Sequence, residues 1–163
     1  MGRTDRTLDP DDDYHIAISS RKDSPEDAVP RLEEAIRLTL RHHQRARCRI
    51  SLAIVDDAQM AELHQQYLGK PGPTDCLSFD LRDDTDSDVV EGEIVVSLDT
   101  ARREAGARDV SELAELVLYA VHALLHLLGY EDADPQTADR MHRMENQLLT
   151  ELGYGPVFGA QPT

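Results

Sequence analysis

Tryptophan is absent from this chain, and two phenylalanines and five tyrosines are its only aromatic residues besides histidine. That scarcity argues against a stacking platform of the kind that holds successive unpaired bases. Cysteine is nearly as scarce. Cys48 and Cys76 are too few for a disulfide scaffold, and both sit in apolar, strand-like runs, which predicts reduced core thiols. No apolar run reaches the length of a membrane-spanning helix, and the N-terminus is acidic and polar rather than a secretory signal. A soluble, cytoplasmic protein is expected. Positive charge is also in short supply: 17 Lys and Arg against 32 Asp and Glu leave a net charge of −15. Such a surface repels phosphate backbones at long range, so non-specific nucleic-acid binding is disfavoured. Much of the negative charge is concentrated in residues 9–13 and 83–88, which leaves room for a local basic face elsewhere.

Against this background His122 and His126 stand out, one helical turn apart in the most apolar stretch of the chain. An i, i+4 spacing puts both imidazoles on one helical face, close enough to grip one ion. Gly129 ends the helix and lets the chain turn, so that Asp132 can swing back as a third ligand. Three protein ligands and one open position is the arrangement of catalytic rather than structural zinc. Glu131 is the rival ligand, one residue off register. The alternative is a pair of core histidines, but between Leu116 and Leu128 only Tyr119 offers another polar side chain to satisfy them.

At 163 residues the chain is expected to form one domain, residues 14–153, between a disordered acidic tail (1–13) and a flexible C-terminal tail (154–163). Strands are predicted at 14–19, 50–55, 75–81 and 93–98. Ser24 is read as the N-cap of a first helix with Pro25 at its first position, the basic His42-His43 pair complementing that helix's C-terminal dipole. A short helix from Asp56 to Tyr67 would turn Met60, Leu63 and Tyr67 inward. Another spans 99–107, and Asp109-x-x-Glu112 is read as a capping box for the helix carrying the two histidines. Pro135 restarts a final amphipathic helix that Gly153 ends. The run 83–88 imitates the opening of a calcium loop, but Val89 and Val95 stand where glycine and glutamate are needed, so a solvated hairpin loop is expected. This order predicts an α+β fold: a small, mostly four-stranded mixed sheet packed by helices around a central buried helix with His122 and His126.

Taken in order, Thr74-Asp75-Cys76-Leu77-Ser78-Phe79, Gly92-Glu93-Ile94-Val95-Val96-Ser97 and His122-x3-His126-Leu127-x-Gly129-Tyr130, joined to Met141-x3-Glu145, resemble the YbeY family. The resemblance implies a single-domain, metal-dependent endoribonuclease that matures small-subunit ribosomal RNA by metal-activated water or direct metal assistance, with one divalent ion, zinc first. It also implies ribosomal RNA as substrate, and ribosomal proteins or a ribosome-assembly GTPase as partners. Two positions depart from the family pattern. Asp132 stands where the family has a third histidine, and Leu68 where it has an arginine. Asp is an ordinary zinc ligand, although a carboxylate lowers the site's charge and weakens the metal as a Lewis acid. Leu68 cannot stabilise charge on a phosphate; Lys70 supplies a point charge in its place, and Ser78, with Thr74, is expected on the strand beside the site. The alternatives are a ribosome-associated binding protein with weakened catalysis, or a zinc peptidase. Ala123 argues against the latter, because peptidases of this layout carry a glutamate after the first histidine.

Overall fold

A computed structural model describes residues 13–72, 74–84 and 88–156. Within them the chain forms, in order, β1 (Tyr14–Ser19), α1 (Ala28–His42), β2 (Arg47–Val55), α2 (Asp57–Leu68), β3 (Cys76–Asp80), β4 (Val89–Ser97), α3 (Leu98–Arg108), α4 (Glu112–Leu127) and α5 (Pro135–Glu151). The sheet order is β1-β2-β4-β3, with β1, β2 and β4 parallel and β3 antiparallel on β4. The predicted α+β class and mixed four-stranded sheet hold. β3 and β4 pair antiparallel, and the solvated hairpin loop expected at 83–88 falls in part on residues 85–87, outside the described residues.

Alternation builds the sheet. Cys48, Ile50, Leu52 and Ile54 are buried at every second position of β2, and Val90, Ile94 and Val96 continue that layer in β4. α1 and α4 cover it. α4 is the centre of the molecule: of residues 114–127, every one is buried except His122 and His126. A helix so nearly apolar all round can only be a core helix, and its two half-buried imidazoles mark the place where it surfaces. On the opposite face of the sheet a smaller cluster of Val55, Met60, Leu77 and Val95 seats α2.

The C-terminal end of α4 approaches β4 closely at Gly92. A Cβ there would stand 2.8 Å from Leu127 Cδ1 and 2.7 Å from the Phe79 carbonyl oxygen. Gly92→Ala is therefore expected to cost about 1–3 kcal/mol, read by denaturant unfolding, because either the helix end or the β3–β4 pairing must shift. An unchanged stability would mean that this contact is not tight in solution.

Four local readings are corrected. α1 starts at Ala28 with Asp27 as an N-cap that makes no side-chain bond. The Ser24 hydroxyl instead accepts a bond from the Arg21 N–H in the preceding turn, and Pro30 falls in the first turn, where its missing N–H costs nothing. Ser111, not Asp109, caps α4 by accepting from the Ala114 N–H; Asp109 takes the left-handed conformation that ends α3. Tyr67 is 57% exposed, its ring edge-on to that of Phe79, because α2 seats itself through Met60. His43 is not a solvated cation: it is a half-buried tether, described below. β2 and β4 also begin earlier than predicted, because Arg47 and Cys48 find ladder partners in Val89 and Val90. The predicted N-terminal tail lies, apart from Asp13, outside the described residues, as do residues 157–163; Tyr154 packs on the core and accepts a hydrogen bond from Arg31 Nε at 2.8 Å. No single helix among the described residues is long and apolar enough to cross a membrane.

Candidate metal centre

The last turn of α4 and the segment after it bring three side chains together. α4 ends with the Gly129 N–H donating to the His126 carbonyl and the Tyr130 N–H to that of Leu125, with Gly129 at a φ of +104°. Only a residue without Cβ adopts that conformation cheaply, and the reversal it makes carries Asp132 back over the helix. The result is a triangle: His122 Nε2 to His126 Nε2 is 3.2 Å, and Asp132 Oδ2 lies 3.6 Å from the first and 3.7 Å from the second. Atoms about 2.0–2.2 Å from one tetrahedral ion stand about 3.3–3.6 Å apart, so the three edges fit a single ion with its fourth position open. Glu131 is not part of the group.

The surroundings decide which nitrogen of each ring points inward. His126 Nδ1 faces the Tyr130 carbonyl at 3.0 Å and must donate to it. His122 Nδ1 lies 2.5 Å from Glu145 Oε2 and donates to that carboxylate. Glu145 is fully buried on α5, and its other oxygen has no hydrogen-bond partner among the described residues. With both rings neutral, the two Nε2 atoms therefore present lone pairs to one another and to the Asp132 carboxylate. Three acceptors that converge with no donor among them repel unless a cation sits between them. Burial alone would lower the His122 pKa, but the Glu145 hydrogen bond and charge outweigh it, and Asp75 and Asp132 add to the upward shift. The site attracts positive charge. A hydrogen bond from each ligand's outer nitrogen to a carboxylate or carbonyl is also how metal-binding histidines are oriented in general.

The turn itself is braced. His43 Nδ1 donates to the Thr39 carbonyl at 2.7 Å, and the Tyr130 hydroxyl donates to His43 Nε2 at 2.9 Å. Burial holds the His43 pKa down, with the charges of His42, Arg45 and Arg140 pushing the same way, which suits a neutral ring that must accept that bond. The Arg140 guanidinium lies over the Tyr130 ring at 5.0 Å.

The model of the family described as Endoribonuclease YbeY matches residues 16–153. This chain belongs to the YbeY family. A protein of Anaeromyxobacter sp. (strain Fw109-5) named Endoribonuclease YbeY is 38% identical over 138 residues, which cover 85% of this chain and 72% of that relative. One of the same name from Carboxydothermus hydrogenoformans is 34% identical over 136 residues, 83% of this chain and 94% of its own. The solution structure of TM1509 from Thermotoga maritima shares the fold, with a TM-score of 0.62 at 23% identity over 85% of this chain and 88% of that one.

Against the YbeY pattern, the remaining expected site residues are placed less closely. Ser78 is half-buried on β3, paired with Ile94, and shares its strand face with Cys76 and Asp80. Its hydroxyl makes no hydrogen bond among the described residues. Burial raises the Cys76 thiol pKa strongly, and the charges of Asp75, Glu145 and Asp132 all add to that. Among the described residues the Thr74 hydroxyl bonds to the neighbouring Asp75 carboxylate, at 3.5 Å. Lys70 is exposed just past the left-handed Gly69 that ends α2, and Leu68 is 52% exposed. The Lys70 side chain makes no ion pair or hydrogen bond among the described residues. Sequence reasoning assigned no role to Glu145. The available signal was a charged residue on the apolar stripe of α5, four residues after Met141 and three before Leu148, both fully buried.

Proposed function

We propose that this chain is a metal-dependent endoribonuclease, and that His122 Nε2, His126 Nε2 and Asp132 Oδ2 hold one divalent ion, zinc first. The observation that carries the reading is the convergence of three acceptors, two of them imidazoles whose outer nitrogens are already committed elsewhere. Family membership supplies the reaction class, and small-subunit ribosomal RNA is the substrate proposed for it. The bound ion would supply Lewis-acid polarisation of a phosphodiester. The protein's own share is positioning. Glu145 keeps the proton on His122 Nδ1, the Tyr130 carbonyl keeps the one on His126 Nδ1, and Ser78, whose hydroxyl makes no hydrogen bond among the described residues, is proposed to donate to the substrate. Lys70 is proposed as a mobile point charge for the phosphate. A cytoplasmic setting, with ribosomal proteins or a ribosome-assembly GTPase as partners, belongs to the same proposal.

The second reading, a ribosome-associated binding protein, is favoured by Leu68, an exposed apolar side chain where the family resemblance calls for arginine. Peptidase chemistry is disfavoured, because Ala123 is fully buried and offers no general base. Cleavage of structured and single-stranded RNA by Leu68→Arg and by the unaltered chain separates the two readings. A weakened nuclease should gain rate on receiving the arginine. Electrostatic stabilisers of this kind are worth on the order of 10²–10³, and a graft without its supporting shell should recover less. No cleavage by either protein, with the site loaded with zinc or manganese, would favour the binding reading.

A further inference from the structure

The metal triangle adjoins a second feature. On the far side of His126 lies a cavity of about 260 Å³, lined by Arg45, Asp80, Arg82, His126, Leu128 and Gly129 among others. Its two arginines are in different states. Arg82 is spent: its guanidinium holds both oxygens of Asp80, at 2.9 and 2.6 Å, and donates to the Leu127 carbonyl at 2.8 Å. Its charge is cancelled by Asp80, and it serves as a wall. Arg45 is not spent. Its guanidinium makes no ion pair or hydrogen bond among the described residues, so one positive charge in the cavity is uncompensated.

Arg45 is also held in place through its backbone. α1 ends with the Gln44 N–H donating to the Arg41 carbonyl at 3.0 Å and the Arg45 N–H to that of Leu40 at 2.9 Å. Gln44 takes a left-handed φ of +56° to do so, a conformation that residues with a side chain rarely adopt. The Tyr14 hydroxyl then donates to the Arg45 carbonyl. The surroundings are basic in an otherwise acidic chain: Arg140 caps the Tyr130 ring close by, and the charges of His42, Arg45 and Arg140 all reach His43.

We propose that this cavity is a subsite for a backbone phosphate of RNA, adjacent to the one at the metal centre, with Arg45 as the anchoring residue. The inference rests on the endoribonuclease reading. A half-buried, unpaired guanidinium is a planar fork matched to two phosphate oxygens, and His126 borders both the cavity and the triangle, so a strand crossing the metal centre can enter it. Arg45 would thereby supply, from the end of α1, part of the phosphate affinity that residue 68 does not. It is a positioning residue, not a catalytic one.

The test is binding of a fluorescein-labelled single-stranded RNA to the full chain by anisotropy, over a range of salt concentrations with chelator present to prevent cleavage. Each contact to a single-strand phosphate contributes about 0.7 to the slope of log affinity against log salt. Arg45→Ala and Arg45→Gln should each lower the slope by about that amount and weaken binding roughly tenfold, while Arg45→Lys keeps the slope. In the metal-loaded cleavage assay the same two variants should raise KM with kcat changed less than about twofold, the mark of binding lost equally in ground and transition states. Arg143→Ala, which removes an equal charge from an exposed pair with Asp139, should move neither. Cleavage by the wild type with an unchanged slope and KM in the Arg45 variants would overturn the subsite and leave the nuclease standing. Equal losses in the Arg45 and Arg143 variants would overturn it in favour of diffuse charge. A wild type that neither binds nor cleaves RNA would remove both proposals together.

Discussion

His126→Ala should abolish tight binding of a divalent ion, lowering affinity by at least about 10²-fold. A tetrahedral zinc site is worth about 10–16 kcal/mol shared among its ligands, so losing one of three protein ligands removes several kcal/mol. The variant should still fold, because His126 is only half-buried and its removal also relieves the two lone pairs facing each other at 3.2 Å. Titration calorimetry of metal-stripped protein reads the loss directly. It should also show a pH dependence of defined sign. His122 binds a proton more readily than free imidazole, since Glu145 outweighs the effect of burial, and that proton competes with the ion. Metal affinity should therefore decline as pH falls, beginning above the ordinary histidine value near 6.5. Without metal the dependence reverses. A raised folded pKa contributes stability that is fully present below about 6.5 and is lost as pH rises through the folded value. Unchanged ion affinity in His126→Ala would remove this residue from the site.

Glu145→Ala is expected to weaken metal binding by about 10–100-fold without touching a ligand. Glu145 is fully buried, and its Oε2 is the acceptor for His122 Nδ1. With that carboxylate gone, the ring is free to rotate and to put its proton on the inward nitrogen, where it blocks the ion. Glu145→Gln should lose less, because an amide oxygen still accepts the Nδ1–H, although the charge that favours a cation is gone. The ordering Ala, then Gln, then wild type in ion affinity is the signature of orientation; equal affinity in all three would show that His122 is oriented by something else.

The central helix was readable because its chemistry is extreme: an apolar run with two imidazoles at i and i+4 has few other solutions than a buried helix surfacing at a site. Gly129 was readable for a similar reason, since a helix that must reverse onto its own last turn needs a left-handed residue there. The caps were less so. Ser24 and Asp109 have the right side chains, but Asp27 and Ser111 offered competing caps three and two residues downstream of the expected ones, and local sequence does not rank them. The strand order was not legible at all, because β1, β2 and β4 pair in parallel through crossovers that leave no turn signature. The roles of Glu145, which the sequence offers only within the family motif, and of Arg45 were missed because they depend on what lies opposite these residues. One is 23 residues from His122 and the other borders a cavity made by three separate segments.

The most direct measurement is RNA cleavage by metal-stripped protein as zinc or manganese is added back in known equivalents, with His126→Ala prepared identically to expose contaminating nucleases. Three convergent ligands for one ion predict no cleavage by the stripped chain, a linear rise that breaks at about one equivalent, and a flat line for the variant. Cleavage by the stripped chain, or an equal response from His126→Ala, would contradict the assignment of the His122, His126 and Asp132 triangle as the metal centre of this enzyme.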